Sequence, residues 1–377
     1  MAASHFVDLA DDDDTAARAV FAELRGYFAH SKTWECERML GSGAYGVALL
    51  VQERNARRGY ARRVVLKRAL DAGADELKTE IAMLKLLRGN AHFATMLASS
   101  NDLDEFSRAR VGARAARGLR TVFAALRGRR GHRGPGLRTI FSTLRGLRGP
   151  ALVQEFCPNG TLDYLKDRAL KQGLELSNGV LWRFYLCLVR ACVGFAYPPS
   201  GPENVVPTLE EIPPGQAPGD LIHGDIAGRN IVLKNIAIGD EDADAPEHGS
   251  VPILRMIDLG SSRYTDKAGK GPEENLHAAA IEMLRLIRRG PVRTRVPRFA
   301  TMFNGVQTAA TDILPVNGVP RFPGLDIGLR DLLVQALRTD RDQRPTLEDM
   351  LTRLRNEVTR TLPVLDRAIV QHLIYDA

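Results

Sequence analysis

Two side chains on one short segment have the types and spacing needed to transfer a phosphoryl group to a hydroxyl. Asp225 and Asn230 are five positions apart in the sequence HGDIAGRN, which occupies residues 223–230. Such a carboxylate can orient an acceptor hydroxyl, while the asparagine amide binds a magnesium ion. Asp258, which follows a strand-like apolar run, offers a second oxygen ligand of the kind that Mg²⁺ prefers. The sequence therefore predicts catalysis by Asp225 beside a metal held by Asn230 and Asp258.

A glycine-rich segment nearer the N-terminus could bind phosphate groups. Gly41, Gly43 and Gly46 lie between two apolar runs that predict strands joined by a tight turn. Because glycine has no Cβ, backbone N–H groups at these positions can approach phosphate oxygens closely. An ordinary glycine hairpin explains the same three residues, so the local pattern leaves both interpretations open.

The order of these segments resembles the eukaryotic protein kinase superfamily, whose signatures are a Gly-rich loop, a strand lysine, HxDxxxxN and DxG. Here they correspond to GSGAYG at 41–46, VVLK at 64–67, HGDIAGRN at 223–230 and DLG at 258–260. The resemblance covers roughly residues 34–358. With its inserted loops, the chain also resembles the divergent kinase-like proteins of filamentous fungi. It implies an α+β, two-lobed fold: an N-terminal lobe with a small antiparallel β-sheet and a mainly helical C-terminal lobe.

The resemblance also implies roles for particular residues. Lys67 would grip the nucleotide phosphates and pair with Glu80 on the following helix, with Glu76 as the alternative partner one turn earlier. Gln154 would be the gatekeeper beside the adenine. ATP and Mg²⁺ are the implied cofactors. The residues implied to contact the nucleotide are Gly41, Ser42, Gly43, Ala44, Tyr45, Gly46, Ala48, Val65, Lys67, Glu155, Cys157 and Val232.

The segment around the catalytic-type aspartate departs from the family pattern. Gly224 stands where the family has an arginine, so regulation by a phosphorylated activation loop is not expected. Ala227 replaces the lysine typical of serine/threonine kinases, whereas Arg229 resembles the tyrosine-kinase loop. Serine or threonine acceptors are favoured by base rate, and tyrosine stays open.

The segment after Asp258 departs further, because it contains no APE triplet. Residues 271–274 (GPEE) would be a degenerate remnant, with Glu273 or Glu274 pairing with Arg344. Asn275 would open the next helix at the place of the family's structural aspartate. These losses put peptide docking in more doubt than ATP binding.

Two other functions fit the same residues. The motif His-Gly-Asp at 223–225 matches small-molecule phosphotransferases of the aminoglycoside and choline kinase type better than it matches protein kinases. The complete glycine motif and the ArgProThr ending at 344–346 favour a protein kinase. A nucleotide-binding pseudokinase scaffold is the third possibility, although the polar groups for ATP and metal are all retained.

The domain organisation follows from the motifs and the segments between them. Val20, Leu24 and Phe28 share one face of a predicted helix that should pack on the small lobe. The insertions at 198–219 and 239–250 are interpreted as surface excursions. The predicted units are 1–30, an acidic segment and helix; 31–157, the N-lobe with an Arg-rich insertion at 108–148; and 158–377, the C-lobe with insertions at 198–219 and 239–250.

The basic character of the chain is confined to one segment. Residues 108–148 hold twelve arginines and no acidic residue; without those arginines the net charge of +7 becomes −5. This insertion could contact a polyanion through phosphate groups, although a solvated loop without a partner is the simpler interpretation.

Other compositional features indicate the compartment. Cys36, Cys157, Cys187 and Cys192 show no CxxC spacing, so neither zinc nor a disulfide framework is predicted. The N-terminus has no signal-peptide pattern, and no uninterrupted apolar stretch approaches twenty residues. We therefore expect a globular protein of the cytoplasm or nucleus that has no membrane partner. A monomer is expected, and the resemblance to protein kinases implies protein substrates.

Overall fold

Apolar runs in the first part of the chain form a five-stranded antiparallel sheet, in which the strands lie side by side in the order first, second, third, fifth and fourth. The computed structural model describes residues 15–43, 46–54, 61–70, 73–100, 150–202, 205–234, 246–249, 251–288, 300–360 and 372–373. The sheet strands are β1 (Trp34–Gly43), β2 (Gly46–Glu53), β3 (Arg63–Ala69), β4 (Met96–Ser100) and β5 (Ala151–Glu155).

The helix before the sheet, α1 (Thr15–Ala29), covers one sheet face. Leu24 and Phe28 are fully buried in one cluster with Val64 and Leu66 of β3, and α1 contacts β1 and β2; the buried members of this cluster come from α1 and the sheet. Burying each such side chain stabilises the fold by roughly 1.5–3 kcal/mol. The predicted packing of this helix on the sheet is confirmed.

The remaining helices form a second, larger hydrophobic cluster. Helix α2 contributes Leu77, Ile81 and Leu84 to it, so this helix packs toward the helical part and not with α1. The protein is thus a mixed α+β structure. The helices after α1 are α2 (Ala74–Leu86), α3 (Leu162–Gln172), α4 (Asn178–Ala196), α5 (Gly271–Ile287), α6 (Ile327–Ala336) and α7 (Leu347–Arg360).

Helix α4 is the centre of the larger cluster. Among the described residues it is the one helix long and apolar enough to cross a bilayer, with a mean hydropathy of 1.5. The whole of that apolar window is nevertheless buried inside the protein, as in the core helix of a globular domain.

Three short antiparallel pairs complete the structure and bring distant segments together. In one of them, Ile231 lies opposite Met256. Met256 also exchanges backbone hydrogen bonds with His92 and Ala94, which precede β4, so this pair is joined to the large sheet. The pairs are β6 (Leu221–Ile222) with β9 (Arg263–Tyr264), β7 (Ile231–Leu233) with β8 (Leu254–Met256), and β10 (Thr301–Phe303) with β11 (Val306–Thr308).

Where the structure describes the two insertions interpreted as surface excursions, most residues are exposed or half-buried, but each insertion contributes one buried side chain. In the first, Thr208 exchanges backbone hydrogen bonds with Gly89 and Ala91, and Glu210 is only 3% exposed. In the second, His248 is fully buried. Composition did not predict these two buried residues, because their partners lie elsewhere in the chain.

Several predictions fall outside the described residues. They concern Ala44 and Tyr45 of the glycine-rich segment, the acidic residues before Thr15, the Arg-rich insertion at 108–148, and residues 239–245 and 250 of the acidic insertion.

Candidate functional site

Lys67 and Glu80 form an ion pair between the sheet and α2. Along β3, Val64 and Leu66 are buried on the α1 side, and the alternation turns Lys67 to the opposite face. Lys67 Nζ lies 2.6 Å from Glu80 Oε1, whose side chain is 4% exposed. The expected pairing with Glu80 is therefore confirmed, and Glu76 is not the partner.

Asp258 lies on the other side of the same lysine. Lys67 Nζ is 3.8 Å from Asp258 Oδ1, and the Asp258 side chain is about half exposed. Burial raises the pKa of the Glu80 carboxyl, which the Lys67 ammonium opposes and the Asp258 carboxylate reinforces. One buried acid, one lysine and one accessible acid thus form a contiguous charged group.

The backbone at Asp258 explains how its carboxylate reaches this group. Asp258 adopts a left-handed conformation with φ 61°, which is uncommon for residues other than glycine. The short 3₁₀ helix that follows, Leu259–Ser261, packs on α2, and Leu259 is fully buried. A Cβ at Gly260 would lie 3.3 Å from the Glu76 carbonyl oxygen. The Asp-Leu-Gly segment is therefore held against the helix that carries Glu80.

Asp225 is held by two side chains of its own loop. Asn230 Nδ2 donates to Asp225 Oδ2 at 2.8 Å and to its carbonyl oxygen at 3.1 Å. Arg229 Nη2 donates to both carboxylate oxygens, at 2.7 and 2.6 Å, from the solvent side. Because the Asn230 nitrogen is used in this way, its Oδ1 is the atom left to bind a cation.

The β7–β8 pair places this loop beside Asp258. Asn230 directly precedes β7, and its carbonyl oxygen accepts from the N–H of Ile257 at 3.0 Å. Asn230 and Asp258 therefore emerge at the same end of one strand pair, although 27 residues separate them in the chain. Oxygen donors from both residues suit a hard divalent cation.

His223 anchors the loop from below. Its Nδ1 accepts from the Asp225 N–H at 3.2 Å, so Nε2 carries the proton and donates to the Ile257 carbonyl oxygen at 3.2 Å. Burial lowers the pKa of His223, which favours this neutral form. Asn275 Oδ1 accepts from the His223 N–H at 3.1 Å, and its Nδ2 donates to the Leu221 carbonyl oxygen at 2.9 Å.

Gly224 has a structural reason to be glycine. Its φ is +81°, and a Cβ at this position would lie 2.5 Å from the carbonyl oxygen of Ser261 and 2.9 Å from Arg263 Nη1. A side chain here would strain the backbone and collide with the segment after Asp258. The packing of these two loops therefore requires glycine at the position where protein kinases have an arginine.

The glycine-rich segment forms the turn between β1 and β2, where Gly43 lies opposite Gly46. A Cβ at Gly46 would lie 2.8 Å from the Arg68 carbonyl oxygen, so packing on β3 requires glycine there. Gly41 and Gly43 have no described atom within 4 Å of such a Cβ. The hairpin interpretation therefore accounts for Gly46 but not for Gly41 and Gly43.

The residues predicted to surround an adenine lie on neighbouring strands. Ala48 and Val65 are half-buried, and Ala48 lies opposite Lys67 across β2 and β3. Val232 is half-buried on β7, which Thr161 and Gly160 tie to the chain after β5. The structure thus places these side chains on elements that adjoin Lys67 or the β7–β8 pair.

The end of β5 is fixed by a contact that the sequence did not reveal. Arg255 of β8 forms a buried ion pair with Glu155, whose Oε1 also accepts from the Thr95 N–H at 2.6 Å. Gln154 and Cys157 are buried too. An arginine inside the apolar run 253–257 was the available signal, because a buried charge requires a partner.

The segment before α5 corrects one prediction. Helix α5 begins at Gly271 and not at Asn275, so residues 271–274 form its first turn. Pro272 and the acidic residues after it suit a helix N-terminus. The predicted pair is present nonetheless: Arg344 Nη1 donates to Glu273 Oε1 at 3.2 Å.

No protein-family model matches this chain, and no curated protein sequence matches it either.

Proposed function

We propose that the protein is an ATP-dependent phosphotransferase of the protein-kinase type, with protein hydroxyl groups as acceptors. The observation that carries the proposal is the convergence at Lys67. Its ammonium lies 2.6 Å from Glu80 and 3.8 Å from Asp258, which comes from a segment almost two hundred residues away. In this arrangement the buried acid holds the lysine where its ammonium can neutralise phosphate charge, and the accessible acid can hold a metal ion that does the same.

Each polar group would have a distinct role. Asp225 would orient the acceptor hydroxyl and accept its proton, because it is the accessible carboxylate of the loop. Arg229, on the solvent side of Asp225, would release one of the two Asp225 carboxylate oxygens. The acceptor hydroxyl would then contact that oxygen. Asn230 Oδ1 and the Asp258 carboxylate would hold Mg²⁺, and Lys67 would bind phosphate oxygens. Mg-ATP, when bound, supplies the phosphoryl group.

Two glycines support a phosphate ligand at the β1–β2 turn. Gly41 and Gly43 do not have positive φ angles, and no described atom would obstruct a side chain at either position. The described structure therefore gives no packing or conformational reason for glycine there. Close approach of a phosphate to the backbone would require it.

The two hydrophobic clusters support a two-lobed arrangement. The sheet and α1 enclose one cluster, whereas the helices enclose the other. The proposed site lies where β3, α2 and the β7–β8 pair meet. The end of β5, held by Glu155 and Arg255, would be the hinge between the lobes.

A small alcohol is the second candidate acceptor, and Gly224 favours it. The backbone there excludes a side chain, so this loop cannot carry the arginine that links the catalytic loop to a phosphorylated activation loop in protein kinases. The packing on Ser261 therefore requires the glycine of the His-Gly-Asp motif, which is the motif of small-molecule phosphotransferases.

A radiolabelled-ATP assay with peptide arrays and small alcohols tests both candidates. The wild type should label one acceptor class. Asp258→Ala should abolish transfer, and Asp225→Asn should slow it by about 10²–10⁴-fold because the proton acceptor is lost. Asp266→Ala, an exposed aspartate eight residues after Asp258, is the matched control and should retain full activity.

The assay also has outcomes that contradict the proposal. Full activity in Asp258→Ala would exclude the assigned metal site. A folded wild type that transfers no phosphate but is stabilised thermally by Mg-ATP would indicate a nucleotide-binding scaffold. Absence of both transfer and stabilisation would refute nucleotide binding altogether.

A further inference from the structure

Three side chains that commonly bind transition metals meet inside the larger hydrophobic cluster. One ring nitrogen each from His92 and His248, and the sulfur of Cys187, all lie within 4.8 Å of one another. None of the three residues is more than 1% exposed. His92 lies before β4, Cys187 lies in the middle of α4, and His248 lies at the end of a 3₁₀ helix (Pro246–His248). This group is separate from the side chains assigned to phosphotransfer.

Backbone contacts around β8 hold the three side chains in place. The His92 carbonyl oxygen accepts from the Met256 N–H at 2.8 Å, and the Leu254 N–H points at Cys187 Sγ from 3.4 Å. His248 Nδ1 lies 3.5 Å from the same sulfur. The cluster is thus part of a rigid region at the base of the strand that leads to Asp258.

His92 has the environment of a metal ligand. Its Nδ1 lies 2.5 Å from Glu210 Oε2, and the other oxygen of that carboxylate accepts from the His92 N–H at 2.8 Å. The carboxylate fixes the Nδ1 proton, which leaves the lone pair on Nε2. Metal-bound histidines usually donate their second N–H to a carboxylate in this way.

Two ring nitrogens of the cluster make no hydrogen bond to the described part of the chain, although Glu247 Oε1 lies 3.7 Å from His248 Nε2. Within the described residues, neither His92 Nε2 nor His248 Nε2 has a hydrogen-bond partner, although both imidazoles are fully buried. Leaving a buried polar atom unpaired costs about 1–3 kcal/mol. A cation bound by His92 Nε2 would remove that cost at a position where the protein supplies no donor.

The surrounding charges are compatible with a divalent cation. Arg190, beneath the cluster, is paired with Glu247 at 2.7 Å and with Glu211 at 3.1 Å, so its charge is already compensated. Glu210 is then the acid that remains for the cluster. A divalent ion, a Cys187 thiolate and the Glu210 carboxylate would together be neutral.

We propose that His92, Cys187 and His248 bind one Zn²⁺ ion, with Glu210 orienting His92. Two imidazoles and one thiolate match the ligand types that Zn²⁺ prefers, and a water molecule can complete a tetrahedral site. Mg²⁺ prefers oxygen ligands and is not expected here. The ion would fasten the insertion that carries Glu210 and the segment of His248 to α4.

Metal analysis of the full-length protein tests the proposal without nucleotide. The protein is purified, stripped with a chelator and titrated with Zn²⁺ alone or Co²⁺ alone. The wild type should bind one Zn²⁺ per chain and should melt at a higher temperature with Zn²⁺ than without it. The Co²⁺ form should show a thiolate-to-metal charge-transfer band, which reports the Cys187 bond directly.

Variants on the same helix provide the control. Cys187→Ser should lose the charge-transfer band, whereas Cys192→Ser should keep it, because Cys192 is equally buried in α4 but lies outside the cluster. Glu210→Gln should weaken Zn²⁺ binding by about 10–100-fold and retain the band.

The wild-type titration decides the matter even where a variant fails to fold. A folded wild type that binds no Zn²⁺ or Co²⁺, or a cobalt form without a thiolate band, would overturn the site. Equal loss of the band in Cys187→Ser and Cys192→Ser would also overturn it.

Discussion

Replacing Glu80 with glutamine should both destabilise the protein and weaken nucleotide binding. Glu80→Gln keeps the shape of the side chain but removes the charge that faces Lys67 at 2.6 Å. At that separation the attraction amounts to about 6 kcal/mol with an effective dielectric constant of roughly 20. Desolvation of the two groups offsets much of it, so the net effect must be smaller.

The structure sets the size of the net effect. Removing one partner of a fully buried pair typically costs about 3–5 kcal/mol, because the other charge is left without compensation. Lys67 is 16% exposed and has Asp258 as a second partner at 3.8 Å. We therefore expect Glu80→Gln to lower the free energy of unfolding by about 2–3 kcal/mol, below the fully buried value.

Glu76→Gln is the matched control, because Glu76 lies one turn earlier on α2. Its Oε2 is buried without a hydrogen-bond partner among the described residues, so removing its charge should cost less than about 0.5 kcal/mol. Urea unfolding followed by circular dichroism measures both variants, and a thermal shift with Mg-ATP measures binding. Equal losses in Glu80→Gln and Glu76→Gln would refute the assignment of the pair.

Three further predictions test the parts that hold the site. Gly224→Ala should lower the free energy of unfolding by about 1–3 kcal/mol and slow catalysis. The control Gly269→Ala, also at positive φ but in open space, should affect stability alone. Unchanged catalysis in Gly224→Ala would contradict the packing argument. Arg255→Met should cost about 3–5 kcal/mol in denaturant unfolding because Glu155 stays buried and charged, and adding Glu155→Gln should recover part of that loss; a double variant no more stable than the single one would be evidence against the pair. Burial and two nearby arginines lower the pKa of His277 from 6.5 to about 4. The unfolded chain therefore takes up a proton that the folded protein does not between these values, and the free energy of unfolding should fall as the pH decreases from 6.5 toward 4, by up to about 2 kcal/mol after allowance for partial exposure. His277→Gln should flatten this dependence in a pH series of urea melts, and an unchanged slope would show that His277 does not cause it.

Local sequence patterns predicted the elements around Lys67 correctly. The β-rich run at 64–67 predicted β3, and the helical spacing of Leu77, Ile81 and Leu84 predicted α2 and its buried face. Glu80, beside that face, was preferred over Glu76, and the ion pair agrees with this preference. The strand and the helix were predictable because each depends on contacts within a few residues, whereas the pairing of Lys67 with Glu80 was implied by the resemblance to protein kinases.

The start of α5 shows how a local signal was overlooked. Pro272 followed by two acidic residues is typical of a first helical turn, yet the likeness to a kinase motif was given more weight. The helix therefore begins four residues before the predicted position at Asn275. Local physical chemistry was the better guide there than resemblance.

Composition predicted the exposure of most described residues in the inserted segments but not of two buried ones. Glu210 and His248 belong to polar stretches, but both are buried because their partners come from α4 and from the segment before β4. No spacing within one segment could have predicted those partners. The same holds for Arg255 and Glu155, which are one hundred residues apart in the chain.

The sequence alone determined which side chains have a chemistry that suits phosphate, magnesium and a hydroxyl acceptor. It also determined the strands and helices on which most of them lie. Tertiary structure decided which of them meet: Lys67 with Glu80 and Asp258, Asn230 with Asp225, and His92 with Cys187 and His248. The physical reason is that strand alternation and helical spacing are short-range properties of the chain. The pairing of distant charges and ligands depends instead on strand register and on the packing of whole elements.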